Sequence, residues 1–290
     1  MIHHASQSTA SGAYAYCRWL ARRHYENFPV ISLLLPNEQR DALAAVYAFA
    51  RTADDIADEG SLSREDRHHR LEQLRAKLEF TYDGNPPSET IFIALYDTIT
   101  RFKIPPTFFI DLLRAFHMDV EHQQPRCFDD LLLYSRLSAN PVGRIVLRIF
   151  GYEDSQLDGL SDNICTALQL TNFWQDVFVD LQRNRIYLPA EDMEATGYGL
   201  EELRLRKFNE RFQHLLALEV HRTEHLFEMG KPLLHKIQGL LRFHVRAIFY
   251  SGEKILLLIR NSEYNVLERR PRLRKFNMLR LLPKILLSPT

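Results

Sequence analysis

Two stretches of the chain space carboxylates four residues apart on segments that read as helix. Residues 51–58, RTADDIAD, follow the apolar run AAVYAFA (44–50) and carry Arg51, Asp54, Asp55 and Asp58. At about 100° per residue, Tyr47, Arg51, Asp54 and Asp58 share a stripe roughly 60° wide, with Asp55 at its edge. Carboxylates at i, i+4 repel, and a negative helix C-terminus adds to the cost. Alone, the cluster reads equally as a solvated helix end, with Arg51 pairing Asp55, or as acids aimed at a cation.

The second stretch shifts that balance. In CTALQLTNFWQDVFVDLQRNRIYLP (165–189), Gln169, Asn172, Asp176 and Asp180 recur at 3–4 spacing and form a stripe about 80° wide. Leu168, Leu170, Phe173, Trp174, Val177, Phe178 and Leu181 cover nearly all the rest of that helix. A polar stripe on such a helix must face a partner or a filled cavity, because burying unpaired carboxylates costs several kcal/mol. Mg²⁺ compensates such groups. It takes one or two carboxylates and completes its octahedron with water and phosphate oxygens. Arg51 stands one turn before the first acids, and Arg183 and Arg185 follow the second. Arginine's planar fork suits phosphate. The two faces together read as the walls of a metal-diphosphate site.

The elements that must carry these faces are helical almost throughout. Apolar periodicity predicts helices near 11–25, 38–58, 63–82, 88–100, 107–122, 128–150, 156–182, 200–229 and 231–260. Breaks fall at PNEQ (36–39), DGNPPSE (83–89), KIPP (103–106), GYEDS (151–155) and EATGYG (194–199). No sustained alternation of period two suggests a sheet, and no linker or repeat divides the chain. One all-α domain over 1–290 is expected, with 1–12 disordered and 268–290 a basic-apolar tail.

Of 290 residues 46% are apolar, enough for a large core, and 37 basic residues balance 37 acidic ones. A balanced chain has no global attraction to nucleic acid, so electrostatic function must be local. Cys17, Cys127 and Cys165 stand far apart without a pairing pattern, as in a reduced cytoplasmic protein. The polar start MIHHASQSTASG lacks the features of a signal peptide. No apolar run approaches the ~20 residues of a membrane span.

With both faces placed, the chain resembles the squalene/phytoene synthase family over roughly residues 14–275. YAFARTADDIAD (47–58) is similar to its Tyr-xxx-Arg-xx-Asp-xxx-Asp motif, and QLTNFWQDVFVDLQRNRIYLP (169–189) to its Gln-xx-Asn-xxx-Asp-xxx-Asp motif. YSRLSANPVG (134–143) is similar to its Tyr-centred Val-Gly segment. The resemblance implies an isoprenoid-synthase-type helical bundle around a central cavity. It implies Mg²⁺ held by Asp54, Asp58, Asp176 and Asp180, with Asp55 and Asn172 as supporting ligands. It further implies diphosphate gripped by Arg51, Arg185 and Tyr47, and a cavity lined by Gln169, Tyr134 and Tyr250. The reaction class it implies is ionisation of an allylic or cyclopropylcarbinyl diphosphate, followed by carbocation chemistry in a dry pocket.

One departure narrows the reaction. RHYENFPVISLLLP (23–36) aligns with a family segment commonly reading Ser-Lys/Arg-Ser-Phe, whose basic residue helps hold a diphosphate. Here Glu26 takes that place, followed by Asn27 and Phe28. HYENFP, SANPVG and RTADDIAD most resemble the bacterial hopanoid branch, which makes hydroxysqualene from presqualene diphosphate. Asn140 and the Glu26/Asn27 pair are expected to hold the water that quenches the cation, and His24 to touch substrate. That substrate implies functional coupling to a presqualene diphosphate synthase. Head-to-head condensation of two farnesyl or geranylgeranyl diphosphates is the alternative.

A class I terpene cyclase is a further rival, though it would carry Ser/Thr and Glu where Asp176 and Asp180 stand. A di-iron bundle needs paired Glu-xx-His motifs, and only Glu65–His68 offers one. A non-enzymatic helical scaffold needs no aspartate faces. His68 and His69, within SREDRHHR, read as solvated. The tail ERRPRLRKFNMLRLLPKILL (268–287) reads either as a peripheral contact with an anionic membrane or as a segment packed on the domain. Within it, Arg269 aligns with a family arginine near the diphosphate.

Overall fold

The computed structural model describes residues 2–23 (side chains from Ala10), 35–58, 60, 62–273 and 283–285. Every regular element among them is helical, as the periodicity predicted. The order is α1 (Ile2–Arg23), α2 (Asn37–Asp58), α3 (Arg64–Tyr82), α4 (Thr90–Phe102), α5 (Pro106–Glu121), α6 (Phe128–Ser138), α7 (Asn140–Ile149), α8 (Ser155–Gln182), α9 (Ala190–Thr196), α10 (Leu200–Arg204), α11 (Glu210–Gly230), α12 (Leu233–Lys236) and α13 (Gly239–Asn261).

The predicted boundaries need five corrections, one being that the helix predicted over 231–260 is two, α12 and α13, parted where Ile237 turns extended. Residues 2–12, expected to be disordered, lie within α1, because no proline interrupts them. The single helix predicted over 128–150 is two: α6 closes at Ala139, whose N–H bonds the Ser135 carbonyl, and α7 begins beside Pro141, which has no N–H to continue a ladder. The helix predicted over 200–229 breaks at 205–209, where the Asn209 side chain accepts from the Phe212 N–H at 3.0 Å and starts α11 afresh. Short α9, after Pro189, was not foreseen.

The chain folds as two compact units, Met1–Glu121 with Pro141–Asp154, and His122–Asn140 with Ser155–Thr290. In the first, α2 is the axis. Its alanines Ala44, Ala45 and Ala48 let α1 approach closely enough to bury Ala13 and Cys17, while Phe49 packs edge-on against Phe92 and Phe109. Tyr14 of α1 donates to Asp97 of α4 at 2.7 Å, and Ser63 caps α3 by accepting from the Asp66 N–H. These contacts fix the helix whose far end carries RTADDIAD.

In the second unit the axis is the 28-residue α8, packed on α6, α11 and α13. Leu170, Phe173, Trp174 and Val177 are buried, and the Trp174 indole donates to Thr223 of α11 at 2.8 Å. Two glycines permit the close approach. A Cβ on Gly252 would lie 2.5 Å from Phe227 and 2.8 Å from Leu168, and one on Gly230 would lie 3.0 Å from the backbone of Ile164.

A buried polar knot ties α9 to α11. Arg222 forks onto Asp192 at 2.6 and 3.1 Å and reaches Glu219 at 3.3 Å. One guanidinium cannot neutralise two carboxylates. Burial, and then the neighbouring Asp192, push the Glu219 carboxyl up from its ordinary 4.5 to about 9. A raised folded-state pKa contributes stability in full below 4.5 and loses it as pH climbs towards 9. Unfolding free energy should therefore decline over that window, and Glu219→Gln should flatten the decline. Equal slopes for both proteins in pH-dependent denaturant titrations would contradict this assignment.

Candidate functional site

Each unit carries one of the two aspartate faces. On α2, burial runs out along the stripe: Tyr47 is buried, Arg51 and Asp54 are half-buried, and Asp55 and Asp58 are exposed. Burial pushes the Tyr47 phenol above its ordinary value. Arg51 holds both neighbouring acids, with Nη1 on Asp54 at 2.9 Å and Nη2 on Asp55 at 2.5 Å. The i, i+4 pair weighed as a solvated helix end is thus present, but it shares its arginine with Asp54. The Nε–H of Arg51 is buried and has no acceptor among the described residues. A buried guanidinium donor left unsatisfied beside acids is matched by an anionic oxygen.

On α8, Gln169, Asp176 and Asp180 are half-buried and Asn172 is exposed, amid buried Leu170, Phe173, Trp174 and Val177. The expected polar stripe on an apolar helix is there. Its leading carboxylate is occupied: Arg270 closes both ends of its fork on Asp176, Nε on Oδ1 and Nη2 on Oδ2, the latter at 2.9 Å. The buried Gln175 donates to the carbonyl of Pro271 at 2.5 Å and holds the same C-terminal segment down. Burial and then the Asp176 charge push Asp180 up to about 6, against the pull of Arg185, Arg183 and Arg270.

The end of α8 is built to deliver Arg185. Asn184 adopts φ +56°, its N–H bonds the Leu181 carbonyl at 3.1 Å, and the Arg185 N–H bonds the Asp180 carbonyl at 2.9 Å. This is the Schellman pattern, with Asn filling the left-handed position that Gly more often takes. It locks Arg185 to the residue whose side chain is the last of the stripe. Beyond it, residues 122–126 brace 186–191: Ile186 N–H to His122 Nε2 at 3.2 Å, Gln124 to the Leu188 carbonyl at 2.9 Å, and Ala190 and Glu191 N–H to the carbonyls of Pro125 and Arg126, each at 2.9 Å. Tyr187 stacks on Phe173 at 3.8 Å. A shallow crevice opens here among Phe173, Val177, Tyr187 and Leu203, with Asp180 and Arg185 in its wall.

Other expected residues take varied places. Tyr134 is half-buried with its ring 5.9 Å from that of Phe173. Asn140 is buried and its carbonyl oxygen already accepts from Thr166 at 3.0 Å. Tyr250 is half-buried, edge-on to Phe249, with the Lys284 ammonium 5.7 Å over its ring. His24, Glu26, Asn27 and Phe28 lie outside the described residues. Arg269 is exposed, and the arginine that meets an aspartate is its neighbour Arg270, which the sequence motifs did not single out. His68 is not simply solvated: its Nδ1 lies 2.6 Å from Nδ1 of His117, and Nε2 lies 2.8 Å from Glu121. Among the described residues no helix is long and apolar enough to cross a membrane.

The donors on both faces are carboxylate oxygens, the hard ligands Mg²⁺ prefers, and Arg270 already stands as a cation on Asp176. Among the described residues no three carboxylate, imidazole or thiol groups could hold an ion by themselves. The residues therefore fit a magnesium ion completed by water and phosphate oxygens, not an all-protein cage. Such an ion at Asp176 must displace the Arg270 fork. Arg270→Gln is expected to destabilise the metal-free protein by about 1 kcal/mol. Mg²⁺ with inorganic pyrophosphate should then raise its Tm by more than that of the unaltered protein. Identical thermal shifts in the two proteins would contradict the exchange.

The family model of the squalene/phytoene synthases matches residues 21–277. A hydroxysqualene synthase of Sinorhizobium fredii is 34% identical over 242 residues, 83% of this chain and 81% of that protein. A phytoene synthase of Mycobacterium tuberculosis is 31% identical over 261 residues, 89% and 85% of the two chains. The crystal structure of squalene synthase HpnC from Alicyclobacillus acidocaldarius superposes with a TM-score of 0.84 at 37% identity, covering 88% of this chain and 96% of that one.

Proposed function

Since the chain belongs to the squalene/phytoene synthase family, we propose that it converts presqualene diphosphate to hydroxysqualene. The carbon–oxygen bond to diphosphate breaks with its electron pair leaving on diphosphate. A water oxygen then bonds to the carbocation and gives up a proton, so no reductant is consumed. Asp54, Asp58, Asp176 and Asp180, supported by Asp55 and Asn172, would hold magnesium. The metal supplies charge neutralisation of the departing diphosphate.

The chain's own groups do the remaining work. Arg51 offers its buried, unsatisfied Nε–H to a phosphate oxygen and keeps Asp54 and Asp55 oriented. By resemblance to the family, Arg185, fixed by the α8 cap, and the buried Tyr47 would each bind diphosphate. Both aspartate faces are required for ionisation. The rings of Tyr134 and Tyr250 and the Gln169 amide line the path of the chain, where aromatic faces favour a cation. Buried apolar side chains of α8 would keep bulk water out, and the resemblance assigns the reacting water to Asn140 and the Glu26/Asn27 pair.

The observation that carries the choice of reaction is Glu26, which stands where the family's basic residue would hold a diphosphate. A substrate with a single diphosphate suits that exchange, and the hydroxysqualene synthase relative supports it. The phytoene synthase relative supports the second reading, condensation of two prenyl diphosphates. Purified protein given presqualene diphosphate and Mg²⁺ without a nicotinamide should release hydroxysqualene, and Asp176→Asn should lower kcat about 100-fold or more. Consumption of farnesyl diphosphate with accumulation of presqualene diphosphate would establish the second reading instead.

A further inference from the structure

His122 leaves the end of α5 at φ +23°, a backbone region that non-glycine residues rarely adopt. It is the first residue of the brace that supports 186–191, and it differs from the others in what it contacts. Gln124, Pro125 and Arg126 hold Leu188, Ala190 and Glu191, well past the end of α8. The His122 ring alone reaches the residue directly after Arg185, accepting the Ile186 N–H at Nε2. Its edge also meets the Tyr187 ring at 5.3 Å, and Tyr187 in turn stacks on Phe173, three residues before Asp176.

The acceptor role requires a neutral imidazole with its proton on Nδ1, since a protonated ring has no lone pair at Nε2. Burial, and then the charge of Arg185, hold the His122 imidazole below its ordinary value. The backbone of Arg185 is thus gripped on both sides: its own N–H by the Asp180 carbonyl, and the next N–H by His122.

We propose that His122 is the positioning residue for Arg185, fixing by its bond to the Ile186 N–H the direction in which the guanidinium meets the diphosphate. This rests on the reading of Arg185 as a diphosphate ligand. A displacement on the order of 1 Å in such a ligand can lower a rate 100-fold, so one well-placed acceptor suffices to matter. A purely structural histidine would instead change stability without regard to Arg185.

The test is a double-mutant cycle read by calorimetric binding of inorganic pyrophosphate in the presence of Mg²⁺, and by KM for the prenyl diphosphate. His122→Phe keeps a ring and removes the acceptor; His122→Gln keeps an uncharged acceptor near the Nε2 position. His122→Phe should weaken pyrophosphate binding and raise KM by about tenfold with a smaller change in kcat, His122→Gln should recover most of the loss, and in an Arg185→Gln background His122→Phe should add nothing. Losses that multiply in the Arg185→Gln background, or a folded His122→Gln as impaired as His122→Phe, overturn the role of His122. Should His122→Phe fail to fold, His122→Gln against Arg185→Gln still decides, since binding lost in His122→Gln overturns the role and binding kept there and lost in Arg185→Gln supports it. Pyrophosphate binding in the unaltered protein that Arg185→Gln leaves intact overturns the diphosphate reading of Arg185, and this inference with it.

Discussion

Two carboxylates one turn apart on a mostly buried helix repel each other and lose hydration together, so positive charge brought to them stabilises α8. In this chain the charge comes from sequence-distant and sequence-adjacent arginines. Arg270 arrives from 94 residues away and chelates Asp176, while Arg183 and Arg185 act on Asp180 from the turn that ends α8. The guanidinium on Asp176 does for the metal-free protein what a hard cation would do in the loaded one. The acid cluster of α2 follows the same rule on a smaller scale, with Arg51 shared between Asp54 and Asp55.

The surrounding structure can be understood as what keeps those charges in place. Glycines at 230 and 252 bring α11 and α13 close against α8. Trp174 is anchored by Thr223, so the apolar flanks of the stripe cannot rotate outward. The Schellman turn at Asn184 and the brace from 122–126 then convert a rigid helix end into a rigid loop. Precision at Arg185 is therefore inherited from packing several residues away, a common requirement for groups that must meet a developing charge.

Much of this was legible in the sequence because aspartate is a poor and costly choice at these positions. Asp54, Asp58, Asp176 and Asp180 stood out by violating helix preferences, and the periodicity around them gave the all-α class and the two long helices. The splits at 139 and 205–209 were signalled by Pro141 and Asn209, but a continuing apolar period overrode those local cues. Arg270 and His122 were not legible. Each acts through a contact between segments far apart in sequence, and neither arginine-rich tails nor a lone histidine after a helix carries a periodic signal. Glu219 was hidden for a related reason: on a helix rich in charge, only the fold reveals which acid is fully buried.

The central claim is that the aspartate faces hold metal so that the arginines can hold diphosphate. Calorimetric titration of inorganic pyrophosphate into the protein, with and without Mg²⁺, measures that coupling directly. Binding should depend on Mg²⁺ and should be lost in both Asp54→Asn and Asp176→Asn, each of which remains folded. Pyrophosphate binding of equal strength without the metal, or untouched by either substitution, would contradict the account.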